Sequence, residues 1–246
     1  MKNNTCIGIM GGVGPQATEY LYKKIISEAV KQYGVRENHE FPRVLIISEP
    51  VIDFISSKEH FSEARKQVLF AVQRLINGGA THLAIASNTV HLLAEEVAQL
   101  CQEHGVVFLS MLDAVAAYCK ESGFASVGLL ASPVTLQSSM YDTALMRRNL
   151  TVIKPNEQTY SELGCIIKKV IADTVSDTDI KTFQTVCTEV SKKADAVILG
   201  CTELPILAAH IHVEVPSIDT SSVLADVLLR NYYTSEKSTT TKEQQS

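Results

Sequence analysis

Short apolar runs alternate along the chain with longer segments in which apolar residues recur at helical spacing. The runs predict buried strands, and the first four of these lie at Cys6–Met10, Arg43–Ile47, Thr81–Ala86 and Val106–Leu109. The segments between them predict helices that run from Gln16 to about Val30, from Ser62 to Asn77 and from Ser87 to about His104. Strands that alternate with helices indicate a parallel sheet with right-handed crossovers.

The same pattern begins again near Ser126. The run Ser126–Ala131 resembles the first strand, and the strand that ends at Gly200 resembles the one that ends at Ala86. We interpret this repeat as two similar, pseudo-symmetric α/β domains, each with a mainly parallel sheet flanked by helices. The predicted division is 1–108 plus 207–234 for the first domain and 109–206 for the second, followed by a disordered polar tail at 235–246.

Composition narrows the class of protein. The 246 residues are 46% hydrophobic and 20% charged, which is typical of a soluble globular protein. The net charge of -5 and the lack of long apolar runs argue against binding to nucleic acid or to a membrane. The six cysteines form no CxxC pair, so we expect reduced thiols in a cytoplasmic protein, with neither a disulfide framework nor a metal site.

Glycines follow the first predicted strand. The segment Gly12–Ala17 fits the G-x-G-x-x-A fingerprint of dinucleotide-binding folds. That fingerprint also requires an acidic residue about twenty positions further on, and the nearest strand-end acid, Glu49, lies well beyond that point. A simpler interpretation is that the glycines after Met10 let the backbone approach a small substrate.

Polar residues follow two other predicted strands. Ser87, Asn88 and Thr89 are suited to cap the next helix, and the same hydroxyl, amide and N–H groups are suited to hold a carboxylate. His91, further along that helix, is either a packed histidine or a group that supports the site. Ser132 and Thr135 have either ordinary turn chemistry or a role as donors to a distal substrate carboxylate.

Cys201 lies where a buried strand ends and a helix is about to begin. Backbone N–H groups and the helix dipole stabilise a thiolate at such a position, so Cys201 is a candidate reactive cysteine. The alternative is a buried structural thiol. Glu203 has two possible roles, as a cap for its own helix or as a partner for a substrate ammonium group.

Ligands of open α/β sheets lie beyond the carboxyl ends of the strands. If the two domains face each other about a pseudo-two-fold axis, their strand ends meet in one cleft. We therefore expect the active site in that cleft, with Ser87 and Cys201 on opposite walls.

Taken together, these motifs resemble those of the aspartate/glutamate racemase family. Gly11–Thr18 is similar to the opening GGMGPxAT turn of the family, and Gly200–Pro205 matches its second catalytic motif, GCTELP. Ser87–His91 is similar to its first motif, CNTxH, with serine in place of the first cysteine. The segment Val215–Thr220 is similar to the closing segment of the family.

The resemblance implies a cofactor-independent amino-acid racemase with two pseudo-symmetric domains, which is usually a homodimer. It implies that the Cys201 thiolate removes the Cα proton on one face while Ser87 stands on the other. The small-molecule substrate would be an amino acid or a dicarboxylate. The candidate substrate-binding residues are Met10, Asn88, Thr89, Ser132, Thr135, Thr202 and Glu203.

Two departures from the family pattern concern the side chain of the substrate. Ile52-Asp53-Phe54 stands where the family often has PDR, whose arginine holds a distal carboxylate. Ile171 stands where a lysine is often found. Both changes argue against a substrate with an acidic side chain.

Two other functions remain open at this point. Single-thiol members of the wider superfamily, which include arylmalonate decarboxylase and maleate isomerase, need only one cysteine. The third possibility is a binding protein that keeps an amino-acid pocket and has lost catalysis.

Overall fold

The computed structural model describes residues 4–52 and 60–243. Its strands are β1 (Ile7–Gly11), β2 (Val44–Ser48), β3 (His82–Ile85), β4 (Val107–Phe108), β5 (Ser126–Ala131), β6 (Thr151–Ile153), β7 (Ala196–Gly200) and β8 (Ser217–Asp219). Its helices are α1 (Pro15–Tyr33), α2 (Phe61–Asn77), α3 (Ala94–Glu103), α4 (Met111–Glu121), α5 (Pro133–Gln137), α6 (Met140–Met146), α7 (Tyr160–Ile171), α8 (Asp177–Ser191), α9 (Leu204–Ala208) and α10 (Thr220–Glu243). Short 3₁₀ helices lie at Asn38–Glu40, Thr89–Leu93 and Glu157–Thr159.

The strands form two parallel four-stranded sheets with equivalent topology. The first has the order β2-β1-β3-β4 and the second has the order β6-β5-β7-β8. Each sheet therefore places its first and third strands in the centre, and this shared order agrees with the repeat in the sequence. The predicted fold class, two similar α/β units with parallel sheets flanked by helices, is confirmed.

The central strands form the core of each unit. Every residue of β1 and of β7 is buried, as is typical of parallel strands that helices cover on both faces. The edge strand β2 is more open, and its Ile46 is among the exposed large apolar residues. None of the helices in the described part of the chain has the length and hydrophobicity that a membrane span requires.

The boundaries of the two compact units differ from the predicted ones. Of the described residues, the first unit takes 4–52, 62–111 and 224–243, and the second takes 60–61 and 112–223. The chain thus returns to the first unit near 224 and not at 207, because β8 pairs with β7 and belongs to the second sheet. α10 extends to Glu243, whereas the sequence predicts disorder from 235.

Between β5 and β6 the residue pattern predicts one helix from Ser138 to Asn149, and the structure differs from this prediction. The structure has two short helices, α5 and α6, and the first of them begins before the predicted start. Pro133 occupies the first turn of α5, where the missing N–H of proline costs no helical hydrogen bond. A helix start at this proline moves the helix closer to the end of β5.

The turn after β1 brings two strand ends close together. Gly12 has φ +93°, and a Cβ atom there would lie 2.1 Å from the backbone oxygen of Glu49, just beyond β2. The N–H of Gly12 donates to Thr18 Oγ1 at 2.9 Å, so the first turn of α1 holds the loop in place. A side chain at position 12 would therefore strain the backbone and displace the residue after β2.

We predict that Gly12→Ala lowers the free energy of unfolding by more than the ~1–2 kcal/mol that a left-handed conformation alone costs an alanine. Gly34→Ala is the matched control, because Gly34 has φ +69° and no other group lies within 4 Å of the position that an added methyl would take. Urea unfolding of both variants measures the difference. Equal losses of stability would mean that the approach of Glu49 is unimportant.

Candidate active site

In the first unit, the ends of β1 and β3 lie side by side. Met10 pairs with Ile85 across the two strands, and the N–H of Ala86 donates to the carbonyl of Met10 at 2.9 Å. Ser87 and the glycine turn after β1 are therefore at the same edge of this sheet. Met10 as a whole residue is fully buried at this edge.

The second unit repeats this arrangement with different chemistry. Ala131 pairs with Gly200 at the ends of β5 and β7. The next residues along these two strands are Ser132 and Cys201, which brings a hydroxyl and a thiol to the same edge of the second sheet. The structure thus groups the predicted site residues by unit, with Met10, Ser87, Asn88 and Thr89 in one set and Ser132, Thr135, Cys201, Thr202 and Glu203 in the other.

The segment after β3 is buried but does not cap a helix in the predicted way. Ser87, Asn88 and Thr89 are each 6% exposed or less. A 3₁₀ helix begins at Thr89, and Asn88 before it has helical backbone angles and no side-chain cap hydrogen bond. The prediction that Asn88 caps the next helix is therefore wrong, because a residue whose side chain caps a helix normally has an extended backbone conformation.

His91 connects the residue after β3 to the start of α4. Its Nδ1 lies 2.8 Å from the carbonyl oxygen of Ser87, and its Nε2 accepts the N–H of Met111 at 3.0 Å. These partners require the neutral tautomer with the proton on Nδ1. The ring is 3% exposed, so His91 is a packed histidine that fixes the backbone of Ser87.

Ser132 and Thr135 form a small buried hydroxyl pair at the start of α5. Ser132 Oγ donates to Thr135 Oγ1 at 3.0 Å and accepts the N–H of Thr135 at 3.4 Å. Ser132 is therefore the N-cap of α5, which is the ordinary turn chemistry that the sequence allows. Both side chains are nearly inaccessible.

Cys201 is hydrogen-bonded to Glu203. The thiol donates to Glu203 Oε2 at 2.9 Å, and Thr202 Oγ1 donates to the same oxygen at 3.0 Å. Glu203 is 7% exposed and makes no side-chain cap to α9, so the capping role that the sequence allows for it is wrong. The contact with Cys201 was not predicted, and the spacing of two residues is its only signal in the sequence.

The environment of Cys201 favours the neutral thiol. Burial raises its pKa well above the ordinary value, and the negative charge and hydrogen bond of Glu203 raise it further. The backbone N–H groups of Glu203 and Thr202 lower the pKa, but by less. The predicted stabilisation of a thiolate by backbone donors is therefore outweighed by burial and by the adjacent carboxylate.

Two further residues near these strand ends were not predicted from the sequence. Lys154 follows β6 directly, and its Nζ contacts Asp142 Oδ2 at 2.6 Å and the carbonyl oxygen of Leu136 at 2.9 Å. Tyr141 is fully buried, and burial raises its pKa, with smaller contributions from Cys119 and Cys201. For these two residues, the only signal in the sequence is that Lys154 directly follows a short apolar run, as other candidate site residues do.

Of the residues in the two family departures, Ile52 lies at the end of a described range, whereas Asp53 and Phe54 are outside the described residues. Ile171 ends α7 and is 51% exposed. Across 4–52 and 60–243, no group of three or more His, Cys, Asp or Glu residues is arranged to hold a metal ion.

The fold places the chain in a known structural class. It is similar to an aspartate racemase homologue from Pyrococcus horikoshii OT3, with a TM-score of 0.75 and 29% identity over 93% of this chain and 99% of the other. It is also similar to the Picrophilus torridus aspartate racemase, with a TM-score of 0.77 and 25% identity over 93% and 94% of the two chains. The class is therefore that of the two-domain α/β racemases.

Sequence comparison defines the family. The model of the Asp/Glu/hydantoin racemase family matches residues 10–228, and the chain belongs to this family. The broad specificity amino-acid racemase RacX of Bacillus subtilis (strain 168) is 28% identical over 230 residues, which cover 92% of this chain and 97% of the relative.

We predict that His91→Phe lowers the free energy of unfolding by about 2–4 kcal/mol, because it leaves a buried N–H and a buried carbonyl without their partner. His104→Phe is the matched control, since His104 Nδ1 also lies close to the carbonyl of the residue four positions earlier but is exposed. Urea unfolding should show a change of at most about 0.5 kcal/mol for that control. An equally small change in the free energy of unfolding for His91→Phe would show that His91 does not fix the backbone of Ser87.

Proposed function

We propose that this protein is a cofactor-independent amino-acid racemase in which Cys201 exchanges the Cα proton on one face and Ser87 stands on the opposite face. The observation that carries the proposal is the position of Cys201, a partly exposed residue directly after the central strand β7. Cys6, Cys101, Cys119 and Cys187 are buried, and Cys165 is exposed on α7. Membership of the racemase family supports the same reaction.

Binding of the α-carboxylate is assigned in this proposal to Asn88, Thr89 and Thr202. Hydroxyl, amide and backbone N–H donors at strand ends stabilise negative charge as it spreads from Cα onto the carboxylate. The backbone after Met10 would approach the substrate closely, and the buried pair Ser132 and Thr135 would shape the distal end of the pocket.

We further propose that the preferred substrates have side chains without a negative charge. The family arginine that often holds a distal carboxylate is replaced by Phe54, and a lysine that is often found in the family is replaced by Ile171. The Bacillus subtilis relative is named for broad specificity, which fits a site without these two cations. By resemblance to the family we expect a homodimer, and from the scattered cysteines we expect it to work in the cytoplasm.

Ser87 makes the two faces of the site unequal. An alcohol is a far weaker acid than a thiol, so return of a proton from the Ser87 side would be slow and would involve water. Racemisation is then slow or favours one starting enantiomer, while proton exchange on the Cys201 side remains faster.

We predict that the protein incorporates deuterium at Cα of at least one amino acid in D₂O, and that Cys201→Ala reduces this exchange by about 10²–10⁴-fold, the usual contribution of a positioned acid or base. Proton NMR of an L- and D-amino-acid panel measures the rates. Cys165→Ala, which removes an exposed thiol from α7, should have no effect. A panel without any exchange would exclude racemisation.

We predict that Ser87→Cys increases the rate of two-way racemisation by about tenfold or more, because a thiol returns a proton much more readily than an alcohol. Chiral chromatography from each enantiomer in turn measures both directions. An unchanged rate of racemisation from both enantiomers would show that the group at position 87 does not limit the reaction.

One observation favours a second function. The raised pKa of Cys201 keeps the thiol protonated, and a protonated thiol is a suitable donor to an enolate formed by loss of carbon dioxide. A decarboxylase or isomerase of the single-thiol type would need no acid at Ser87. Turnover of substituted malonates or maleate, without Cα exchange of amino acids, would support this alternative.

A further inference from the structure

The helix α5 and its N-cap contain the hydroxyl pair Ser132 and Thr135, but this helix is too short to fix its own position. It has five residues, and so short a helix is not stable in water, because its few hydrogen bonds do not offset the cost of ordering the first turn. Its first turn lies against α7, since a Cβ atom at Gly164 would be 2.8 Å from Pro133 Cγ. The position of its other end must also come from groups outside the helix.

Three oxygen atoms converge on the ammonium group of Lys154 at that other end. Lys154 Nζ donates to the carbonyl of Leu136 at 2.9 Å, to the carbonyl of Ser138 at 3.3 Å and to Asp142 Oδ2 at 2.6 Å. An ammonium group has three N–H donors, so these three acceptors match its full capacity. The side chain is 21% exposed, and Lys154 directly follows the edge strand β6. Lys154 therefore attaches the corner between α5 and α6 to the second sheet.

Further hydrogen bonds connect this corner to the hydroxyl pair. Ser138 Oγ donates to the carbonyl of Thr135 at 2.7 Å, and Thr135 Oγ1 accepts from Ser132 Oγ at 3.0 Å. Ser132 lies at the same edge of the second sheet as Cys201, because the residues before them are paired across β5 and β7. The contacts that begin at Lys154 thus end on the hydroxyl groups at the edge where the candidate catalytic thiol lies.

We propose that Lys154 is a positioning residue, whose ammonium group holds α5 where Ser132 and Thr135 meet the side chain of the substrate. This inference rests on the proposed function, which assigns the distal end of the pocket to that pair. Lys154 acts through α5 and is not required to touch the substrate. Its charge is paired with Asp142, so its presence agrees with a preference for substrates whose side chains carry no negative charge.

Removal of the ammonium group would leave the three oxygen atoms facing one another without a donor between them. The two carbonyl oxygens carry partial negative charge and the Asp142 carboxylate carries a full one, so repulsion would open the corner between α5 and α6. The hydroxyl pair would then lose its fixed position, while Cys201 directly follows β7 and would keep its own. Binding of the substrate side chain should therefore weaken without a comparable loss of the proton-transfer step.

Lys154→Met keeps most of the length of the side chain and removes its ammonium group. We expect KM for amino acids with polar side chains, such as glutamine, to rise about tenfold, because hydrogen bonds to the displaced hydroxyls are lost. We expect kcat for Cα exchange to change by less than about twofold, which is the pattern of lost ground-state binding. Proton NMR in D₂O at several substrate concentrations measures both parameters.

Lys169→Met is the matched control. Lys169 Nζ also contacts a carboxylate oxygen at 2.6 Å, that of Asp179, but this ion pair joins α7 to α8 of the same unit. Its loss should leave KM and kcat unchanged, and an equal rise in KM for both lysine variants would overturn the role of Lys154. Asp142→Asn weakens one of the three contacts and should raise KM by a smaller factor, which keeps the proposal testable even if Lys154→Met does not fold.

Amide hydrogen exchange in the substrate-free protein separates this inference from the proposed function. The N–H groups of Leu136 and Ser138 donate to the carbonyls of Ser132 and Val134, so their exchange reports on α5. In Lys154→Met they should exchange about tenfold faster, with no change in β5. Unchanged exchange in α5 would overturn the positioning role, and faster exchange with an unchanged KM would overturn its connection with the substrate. A wild type that exchanges no Cα proton would exclude the racemase reaction, and the amide result would still decide whether Lys154 holds α5.

Discussion

The arrangement of the candidate site depends on the register of neighbouring parallel strands. The pairs Met10 with Ile85 and Ala131 with Gly200 align the carboxyl ends of two central strands in each unit. The loops that follow therefore start at the same level, and their polar groups lie at one edge of each sheet. Gly200 contributes to this alignment, because a Cβ atom there would lie 3.1–3.2 Å from Leu129 and Ala131 and would press on the adjacent strand. Backbone hydrogen bonding, rather than any side-chain interaction, thus decides which functional groups become neighbours.

The two units have equivalent topology but different chemical groups at the ends of their central strands. The loop after β3 has a buried serine whose backbone is fixed by His91, while the loop after β7 has a partly exposed cysteine bonded to Glu203. A hydroxyl and a thiol differ widely in acidity, so two similar sheets supply groups that cannot perform the same proton transfer at equal rates. The environment of Cys201 adds a second asymmetry, because burial and a carboxylate both hold its proton in place.

Much of the fold could be predicted because the central strands are buried on both faces. Their runs of Ile, Val, Leu and Ala are continuous, so the central strands and their repetition are visible in the sequence. The ends of helices and the boundaries between the units were harder to predict from the sequence. The early start of α5 depends on Ser132 and Pro133, whose capping geometry competes with the apolar pattern of the following residues. The return to the first unit near 224 depends on the pairing of β8 with β7, which a strand of three residues cannot indicate by itself.

The sequence by itself determined the two parallel α/β units, the racemase family motifs and the presence of Ser87 and Cys201 after corresponding strands. It did so because hydrophobic periodicity and strand-end motifs are local properties of the chain. Only the tertiary structure decided that His91 joins Ser87 to Met111, and that Glu203 binds the Cys201 thiol instead of capping α9. A side chain selects its partner from the groups that surround it after folding. For buried polar residues, whose unsatisfied hydrogen bonds are costly, that choice depends on neighbours that are distant in the sequence or on rotamers that packing selects.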